Sequence, residues 1–485
     1  MDFIIQLFTG TGIDSILVYL CLTAFIGIAI GKLELKGVKL GIAGVLFTGL
    51  ALASFKAHGG SAPLNAQILQ FIKDFGLILF IYAIGIDVGP RFLGSLRNDG
   101  FKMNMLAITL VSLGLFITVG LYFFTDVSPV VITGIMSGAV TNTPGLGAAQ
   151  EVLSGSKEMI ELIGMAYAVA YPFGVLGVIL TMILIRLIFR IDVKKEIEDY
   201  NNQLKTGSKQ KGENEEPENK KEVSGFMAMA NALVTNRKLA GKTIEQIGIY
   251  RRYEANITRI FRAGMEILPT RNTTLELGDT VRIVGKKSQL PEIQKEIGNS
   301  VSVLTTSNTL PVFLGIFLGV VLGSIPIFIP GLPTSAKLGF AGGLLIVSLA
   351  LGHKGRIGKL DFYMNPGAIA MLRELGIILF LGSIGLTSGT NFVQTVLNGG
   401  YIWMLYGMFI TFIPVMTIAV IARLMKFNYL KICGIITGAT TNPSALEYAN
   451  SIAPTQAQST SYATVYPLTM FVRILLAQIF ILMTL

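Results

Sequence analysis

Charged side chains are scarce in this sequence: Asp, Glu, Lys and Arg make up 14% of its 485 residues, whereas hydrophobic residues make up 52%. Because a soluble domain has about 25% charged residues, most of this chain is too apolar to form the surface of a water-soluble globule. Of its 39 basic and 29 acidic residues, 35 lie between residues 191 and 307. The sequence therefore predicts two apolar blocks separated by one polar insert.

Cysteine and histidine are also scarce. Cys21 and Cys433 both lie in apolar runs, which argues against a disulfide framework. His58 and His353 are far apart and have no partner at the spacing of metal ligands. We therefore expect no metal, no cofactor and no enzymatic activity. The first ten residues contain Asp2 but no basic residue, so we expect no cleavable signal peptide and a retained first helix.

Long apolar runs recur on both sides of the insert. Runs of about 20 residues are long enough to cross the ~30 Å hydrocarbon core of a bilayer as helices, which predicts a polytopic α-helical membrane protein whose surroundings are the lipid bilayer. The net charge of +10 is spread over loops and the insert, which gives no support for a nucleic-acid partner. The predicted spans are 13–31, 38–55, 67–88, 101–124, 160–189, 310–330, 338–352, 366–388, 401–424 and 461–485.

The two apolar blocks resemble each other in sequence. Four segments of the first block recur in the second block in the same order, which chance similarity does not explain. We therefore predict two membrane repeats, 1–190 and 303–485. The matching segments are 39–44 with 337–342, 71–89 with 371–389, 134–144 with 434–443, and 167–172 with 462–467.

The distribution of basic residues predicts how each repeat lies in the membrane. Basic residues follow the first and third spans of the first block, but the second and fourth spans of the second block. With the insert in the cytoplasm, both termini lie outside, and the interrupted segments 128–150 and 430–452 must enter and leave on one face. The prediction is two inverted repeats, each with five transmembrane helices and one re-entrant hairpin, as is typical of secondary transporters.

Both interrupted segments have polar residues at their break. An arm of about 10 residues reaches roughly 15 Å, half of the hydrocarbon depth, so both tips are expected near the midplane. Irregular backbone is tolerated there only inside protein or beside a water-filled cavity, and free helix N-termini favour an anion. We predict that the tips bind an anionic substrate; a packing kink is the alternative. The residues are Thr141, Asn142, Thr143 and Pro144, and Thr441, Asn442, Pro443 and Ser444.

Arg473 lies in the middle of the last predicted span, and its counterpart in the first repeat is Val178. An arginine at the bilayer centre costs about 2.5–3.5 kcal/mol, so it needs a partner or a wet cavity. Because a guanidinium pairs bidentately with a carboxylate, Arg473 is predicted to be the counter-charge of the substrate. An internal partner, or a side chain that reaches the interface, is the alternative. Tyr167 and Tyr462 either line the same cavity or accompany a helix kink.

Two charged dipeptides occupy equivalent places in the repeats. Lys73–Asp74 and Arg373–Glu374 each lie near the start of a predicted span. Since each can neutralise itself, we interpret both as structural.

The insert has two parts. Residues 191–222 include a long stretch without apolar periodicity, which predicts a flexible linker. Residues 223–302 contain alternating strands at 255–262 and 279–285 and helical segments at 242–247 and 290–298. We predict a small α+β domain without a catalytic group.

These residues carry a family resemblance. The motifs GAVTNTPG and GATTNPSA within the two blocks resemble the membrane domains of the aspartate:alanine exchanger family. Residues 236–243, Arg259–Arg262 and Pro269, with Leu277–Asp279, are similar to the C-terminal ligand-binding domain of regulators of potassium conductance, of which the insert holds one where some family members have two. The resemblance implies exchange of acidic amino acids or dicarboxylates, a homodimer, a bacterial inner membrane and a small-molecule regulator of the insert.

The leading hypothesis is an antiporter that moves a small carboxylate by alternating access. A proton- or sodium-coupled carboxylate symporter is an alternative. An ion channel gated by the insert is another, although the sequence contains no TVGYG-like filter. The remaining alternatives are a receptor or transport regulator that has lost transport, and an intramembrane hydrolase. Neither histidine lies near the tips, which counts against the hydrolase.

Overall fold

The structure is a computed structural model of the full chain. It describes residues 2–484 apart from 36, 37, 40, 93–98, 201–226, 237, 240, 263, 264, 268, 277, 301–308, 328–335, 358, 359, 363, 365, 454 and 456. The part of the predicted linker from 201 to 222 is outside the described residues.

The first apolar block is helical, and a short β-ribbon of β1 (Glu34–Leu35) and β2 (Val38–Lys39) joins its second and third helices. Two of its helices begin at a serine whose hydroxyl accepts a bond from a backbone N–H, Ser128 and Ser156. The helices are α1 (Asp2–Thr9), α2 (Ile13–Gly31), α3 (Ala43–His58), α4 (Ala66–Phe92), α5 (Asp99–Phe124), α6 (Pro129–Ala139), α7 (Thr143–Val152), α8 (Lys157–Ile188) and α9, described over 193–200.

The insert folds as an α+β unit around one sheet. In chain order the elements are β3 (Met227–Val234), α10 (Ile244–Ile247), α11 (Ile249–Tyr253), β4 (Asn256–Arg262), β5 (Met265–Ile267), β6 (Thr280–Lys286), α12 (Leu290–Ile297) and β7 (Gly298–Ser300). The five strands lie in the order β5-β4-β6-β3-β7, and all pairs are antiparallel. Apolar side chains such as Ile260, Val281 and Ile293 fill the space between the sheet and its helices.

The second apolar block repeats the pattern of the first. Ribbons of two-residue strands, β8 (Pro326–Ile327) with β9 (Ala336–Lys337) and β10 (Arg356–Ile357) with β11 (Leu360–Asp361), connect its first helices. A kink with non-helical backbone at Asn398 and Gly399 (φ 111°) separates two of the long helices. The helices are α13 (Leu310–Ser324), α14 (Gly339–Lys354), α15 (Pro366–Thr395), α16 (Tyr401–Leu424), α17 (Tyr429–Ala439), α18 (Pro443–Ile452) and α19 (Ala457–Thr484).

The chain is a multi-pass membrane protein, and each predicted span overlaps a helix. The predicted span 38–55 begins before α3, and the predicted span 310–330 extends beyond α13 to residues 328–330, which lie outside the described residues. Five stretches of the described residues are both long and apolar enough to cross a bilayer, with mean hydropathies of 1.9 to 2.3. They are Ile13–Gly31, Gly100–Phe124, Lys157–Ile188, Gly367–Leu424 and Ala457–Thr484.

The long helices pack as two layers. The scaffold layer contains α2, α3 and α4 with α13, α14 and α15; the core layer contains α5 to α8 with α16 to α19. Glycines let the scaffold helices approach closely. A Cβ on Gly76 would lie 2.7 Å from the carbonyl oxygen of Gly376, and a Cβ on Gly376 would lie 2.7 Å from that of Gly76. These two residues occupy equivalent positions of the repeats, so α4 and α15 cross at matching points.

The first interrupted segment folds back on itself beside α8. Along α6, Gly134 packs against Ile163, and a Cβ on Gly134 would lie 2.5 Å from the Ile163 carbonyl oxygen. Along α7 the chain returns, because Gln150 Nε2 donates to the carbonyl oxygen of Ile160 at 3.2 Å. Both arms therefore have their outer ends beside the beginning of α8, and we call α6 and α7 the first hairpin.

The second interrupted segment, α17 and α18, is the second hairpin and makes the matching contacts with α19. Gly434 packs on Gln458, whose Nε2 also donates to Ala449 O on the returning arm at 3.1 Å. At its base, the Tyr429 hydroxyl donates to Met182 O near the end of α8. The two hairpins thus begin and end at opposite ends of the α8 and α19 pair.

The helix α9 differs from the predicted flexible linker. Its residue Glu196 is buried and holds the base of the second hairpin: Oε2 accepts a bond from the Tyr429 backbone N–H at 2.8 Å, and Oε1 lies 2.8 Å from Arg423 Nη1. The backbone oxygen of Glu196 accepts from Asn428 Nδ2 at 2.8 Å. The sequence prediction missed these contacts because all their partners lie more than 200 residues away.

Candidate functional site

The two hairpin tips are built by the same local chemistry. Asn142 precedes α7 and its Oδ1 accepts a bond from the Gly145 N–H; Asn442 precedes α18 and does the same for Ala445. A proline lies in the first turn of each helix, where its missing N–H costs nothing. Both tips therefore present helix N-termini, with their partial positive charge, inside the core layer.

A left-handed threonine forms the turn of each tip. Thr141 has φ 52° and Thr441 has φ 51°, a conformation that β-branched residues rarely adopt. The Thr141 hydroxyl lies 3.3 Å from the backbone oxygens of both Thr440 and Thr441, and the Thr441 hydroxyl donates to Val140 O at 3.2 Å. Strained backbone of this kind concentrates at functional sites because the surrounding structure must hold it in place.

The two predicted tyrosines differ in their surroundings. The Tyr167 hydroxyl lies 2.9 Å from the Thr143 hydroxyl and is fully buried at the first tip. Tyr462 stacks on Tyr466, with ring centroids 5.1 Å apart, and no described hydrogen bond joins it to the second tip. The reason is chemical, since Pro443 occupies the place of Thr143 and has no hydroxyl.

Arg473 lies between the tips and α5. Its Nε donates to the carbonyl oxygen of Ala439, the last residue of α17, at 2.8 Å. In the part of the chain that the structure describes, Arg473 Nη2 is buried without a hydrogen-bond partner. The side chain is 6% exposed, so the unpartnered nitrogen is a strong donor out of contact with bulk solvent.

A small cavity of about 20 Å³ adjoins this guanidinium. Asn142 and Ser137 also line it, and within the described residues the Ser137 hydroxyl has no partner. A volume of this size holds about one water molecule, which is less than a carboxylate substrate needs. The sequence did not single out Ser137, although its repeat counterpart, Thr437, also carries a hydroxyl group.

The remaining predicted site residues lie at the tips in different roles. Pro144 is a buried first-turn residue of α7, whereas Pro443 in the first turn of α18 is exposed, and the Ser444 hydroxyl lies beside Gly41, just before α3. The structure therefore brings the two tips, Tyr167 and Arg473 into one polar cluster, but leaves Tyr462 outside it.

A separate pocket lies in the insert. It has a volume of about 380 Å³, in the range of small-molecule sites. Glu245, Arg251 and Arg271 line it together with Tyr250.

Comparison with known proteins identifies both parts of the chain. Residues 19–187 and 311–482 match the family model Asp-Al_Ex, described as a "Predicted Permease Membrane Region". The chain belongs to this permease family. Residues 231–298 match the TrkA-C domain. The membrane helices and the insert thus belong to two recognised modules, in agreement with the family resemblance of the sequence.

Relatives of the whole permease are found in several bacteria. Proteins named "Putative transport protein" from Photobacterium profundum, Pasteurella multocida and Histophilus somni are 41%, 41% and 42% identical to it. Each alignment covers 95% of this chain and 97% of the relative. The first of these alignments spans 537 positions, more than the 485 residues of this chain, so that relative contains segments that this chain lacks. No solved structure matches the chain.

Proposed function

We propose that this permease is a secondary active antiporter that moves small carboxylates, such as acidic amino acids or dicarboxylates, by alternating access. The observation that carries the proposal is the meeting of the two hairpin tips, where Thr141 and Thr441 bond to each other's backbone. Helix N-termini and a buried guanidinium at one place favour an anion.

The proposed arrangement in the membrane is a pair of inverted repeats, each with five spans and one re-entrant hairpin. The opposite placement of the two hairpin bases along α8 and α19 supports it. Both termini then lie outside and the insert lies in the cytoplasm, with the protein in a bacterial inner membrane as a homodimer.

Alternating access needs one body to move against another, and the two layers supply them. The core layer carries both tips and Arg473, while the scaffold layer contacts it along α7, α8 and α19. In the proposed cycle the tips separate enough for the substrate to replace the Thr141 and Thr441 bonds, since the present cavity beside Arg473 is about 20 Å³.

The insert is proposed to modulate transport when its pocket binds a small molecule. Glu196 supplies the physical connection. It lies on α9, at the start of the insert, and its carboxylate binds Tyr429 N–H and Arg423 at the base of the second hairpin. A ligand that shifts α9 therefore changes the support of that hairpin.

Counterflow in proteoliposomes tests the proposed function. Vesicles loaded with unlabelled aspartate, succinate or alanine are diluted into labelled acid, and an antiporter accumulates the label only when a substrate is inside. Accumulation without internal substrate, driven by a proton or sodium gradient, would replace the antiporter with a symporter. No accumulation with any small carboxylate would contradict the proposal.

Arg473 is tested in the same assay. We expect Arg473→Gln to reduce counterflow at least tenfold, and Arg473→Lys to restore little, because an ammonium lacks the planar fork of donors. Arg186→Gln, which removes an exposed arginine near the end of α8, is the matched control and should retain the wild-type rate. Unchanged counterflow in Arg473→Gln would remove this residue from the substrate site.

A further inference from the structure

A cavity of about 300 Å³ lies between the two layers, apart from the tips. The scaffold layer contributes residues from α4 and α15, and the core layer contributes residues from the end of α7 and the start of α8. This volume is about fifteen times that of the cavity beside Arg473 and falls within the range of small-ligand pockets. Its lining residues include Gln70, Lys73, Gln150, Lys157, Thr387 and Ser388.

Lys73 gives this cavity a buried positive charge. It is 5% exposed, and its Nζ forms an ion pair with Asp74 Oδ1 at 3.7 Å, a distance longer than a hydrogen bond. The Asp74 carboxylate itself accepts two bonds from Gln70 Nε2, at 3.1 and 3.0 Å. An ammonium group has three N–H donors, so an ion pair at this distance leaves donors for a bound anion.

Other carboxylates near the cavity are engaged by their own donors. Glu151 accepts bonds from the backbone N–H groups of Phe340 and Ala341 at the start of α14. Glu161 pairs with Lys157 at 3.6 Å. Among the described residues, neither Glu151 nor Glu161 therefore forms an ion pair with Lys73, whose partner is Asp74.

Gln150 adds an unused acceptor. Its side chain is 1% exposed and lines the cavity; Nε2 donates to Ile160 O, whereas Oε1 has no hydrogen-bond partner in the described residues. A buried amide oxygen without a donor costs free energy that a ligand N–H group would recover.

The equivalent place in the other repeat contains an ion pair between α4 and α15. Arg373 and Asp87 are the repeat counterparts of Lys73 and Thr387, and Arg373 Nη1 lies 3.9 Å from Asp87 Oδ2. In the cavity, Thr387 occupies the position equivalent to Asp87. The Arg373–Asp87 ion pair therefore has no counterpart between Lys73 and Thr387, because the Thr387 side chain is neutral; Lys73 pairs instead with its neighbour Asp74.

We propose that this cavity is a second binding site for a small carboxylate, through which the substrate passes before it reaches the hairpin tips. Lys73 binds the carboxylate, and Gln150 Oε1 accepts from the ligand's ammonium group when it has one. The inference rests on the proposed transport function. Gln150 lies eight residues along α7 from Asn142, so the two sites are roughly 12 Å apart along the helix axis.

Thiol labelling at Thr387→Cys, with Cys21→Ala and Cys433→Ala, tests the site without measuring transport. Anionic sulfonatoethyl and cationic trimethylammonium-ethyl methanethiosulfonates are compared, each rate divided by its rate with free mercaptoethanol. We expect the anionic reagent to be favoured about tenfold, with Lys73→Gln abolishing the preference. Aspartate and succinate should both slow labelling, aspartate more strongly, and Gln150→Leu should remove the difference between them.

Controls separate a local charge from a general loss of structure. Lys56→Gln removes another buried lysine of the scaffold layer, which donates to Phe8 O and Gly10 O, and should leave the reagent preference unchanged. If Lys73→Gln fails to fold, Lys157→Gln at the exposed rim supplies the charge change and should lower the preference.

The outcomes distinguish this site from the proposed function. Equal labelling by both reagents, or no protection by either acid, would overturn the second site even if counterflow is normal. Anion preference and protection in a protein that shows no counterflow would support the second site and contradict the transport proposal.

Discussion

Thr141 and Thr441, 300 positions apart in sequence, hold each other's hairpin tip in place. Each has a left-handed backbone, and each hydroxyl reaches backbone oxygens of the opposite tip at 3.2 to 3.3 Å. If a bound ligand replaces these hydrogen bonds, ligand binding is coupled to separation of the two tips. That relationship links the strained backbone to the proposed substrate site.

Removal of the Thr141 hydroxyl tests this link. Thr141→Val keeps the shape of the side chain but deletes the donor, so we expect counterflow to fall at least tenfold and the free energy of unfolding to fall by about 1 kcal/mol. Thr141→Ser keeps the hydroxyl and should remain within about threefold of the wild-type rate. Equal rates in the valine and serine variants would show that the hydroxyl is not used.

The unequal tyrosines give a second, internally controlled prediction. Tyr167→Phe breaks the 2.9 Å contact with the Thr143 hydroxyl and leaves that buried group with one fewer partner, so we expect lower counterflow and a loss of about 1 kcal/mol in stability. Tyr462→Phe is the matched control, since no described hydrogen bond of its hydroxyl is lost. Thermal unfolding in detergent and initial counterflow rates are the measurements. Identical effects of the two changes would contradict the asymmetry of the tips.

Glu196 provides a prediction about the junction between membrane and insert. Glu196→Gln weakens the bond to Tyr429 N–H and removes the charge opposite Arg423, so we expect a loss of about 1–3 kcal/mol in the free energy of unfolding. Glu198→Gln, an exposed neighbour on α9, should change it by less than about 0.5 kcal/mol. Chemical unfolding of the full chain in detergent provides both values. A Glu198→Gln effect as large as that of Glu196→Gln would contradict the stabilising role of Glu196 at this junction.

The sequence was sufficient for the positions of the membrane helices and for the residues of the tips. Both are local properties, since apolar runs of span length form helices, and asparagine and proline mark helix starts. Internal similarity between 134–144 and 434–443 singled out the tips, and the resemblance identified the permease family and the insert domain, which the comparisons confirmed.

Features that depend on long-range contacts could not be predicted. Nothing in the sequence near Thr141 indicates a left-handed backbone, which is usually supplied by glycine. The cavity beside Lys73 forms only when α4, α7 and α15 come together, so the charged dipeptide by itself favoured a structural role. Likewise, the polar composition around Glu196 predicted a linker, because its partners lie on α16 and α17.

Sided thiol labelling tests the central claim most directly, namely that the two hairpins enter from opposite faces of the membrane. Ser154→Cys and Ser451→Cys each place one thiol at an exposed outer end of a hairpin, in the background without Cys21 and Cys433. In intact cells a membrane-impermeant maleimide should label the cysteine at 154, whereas the cysteine at 451 should react only after permeabilisation. Labelling of both positions from the same face would contradict the inverted arrangement and the transport mechanism built on it.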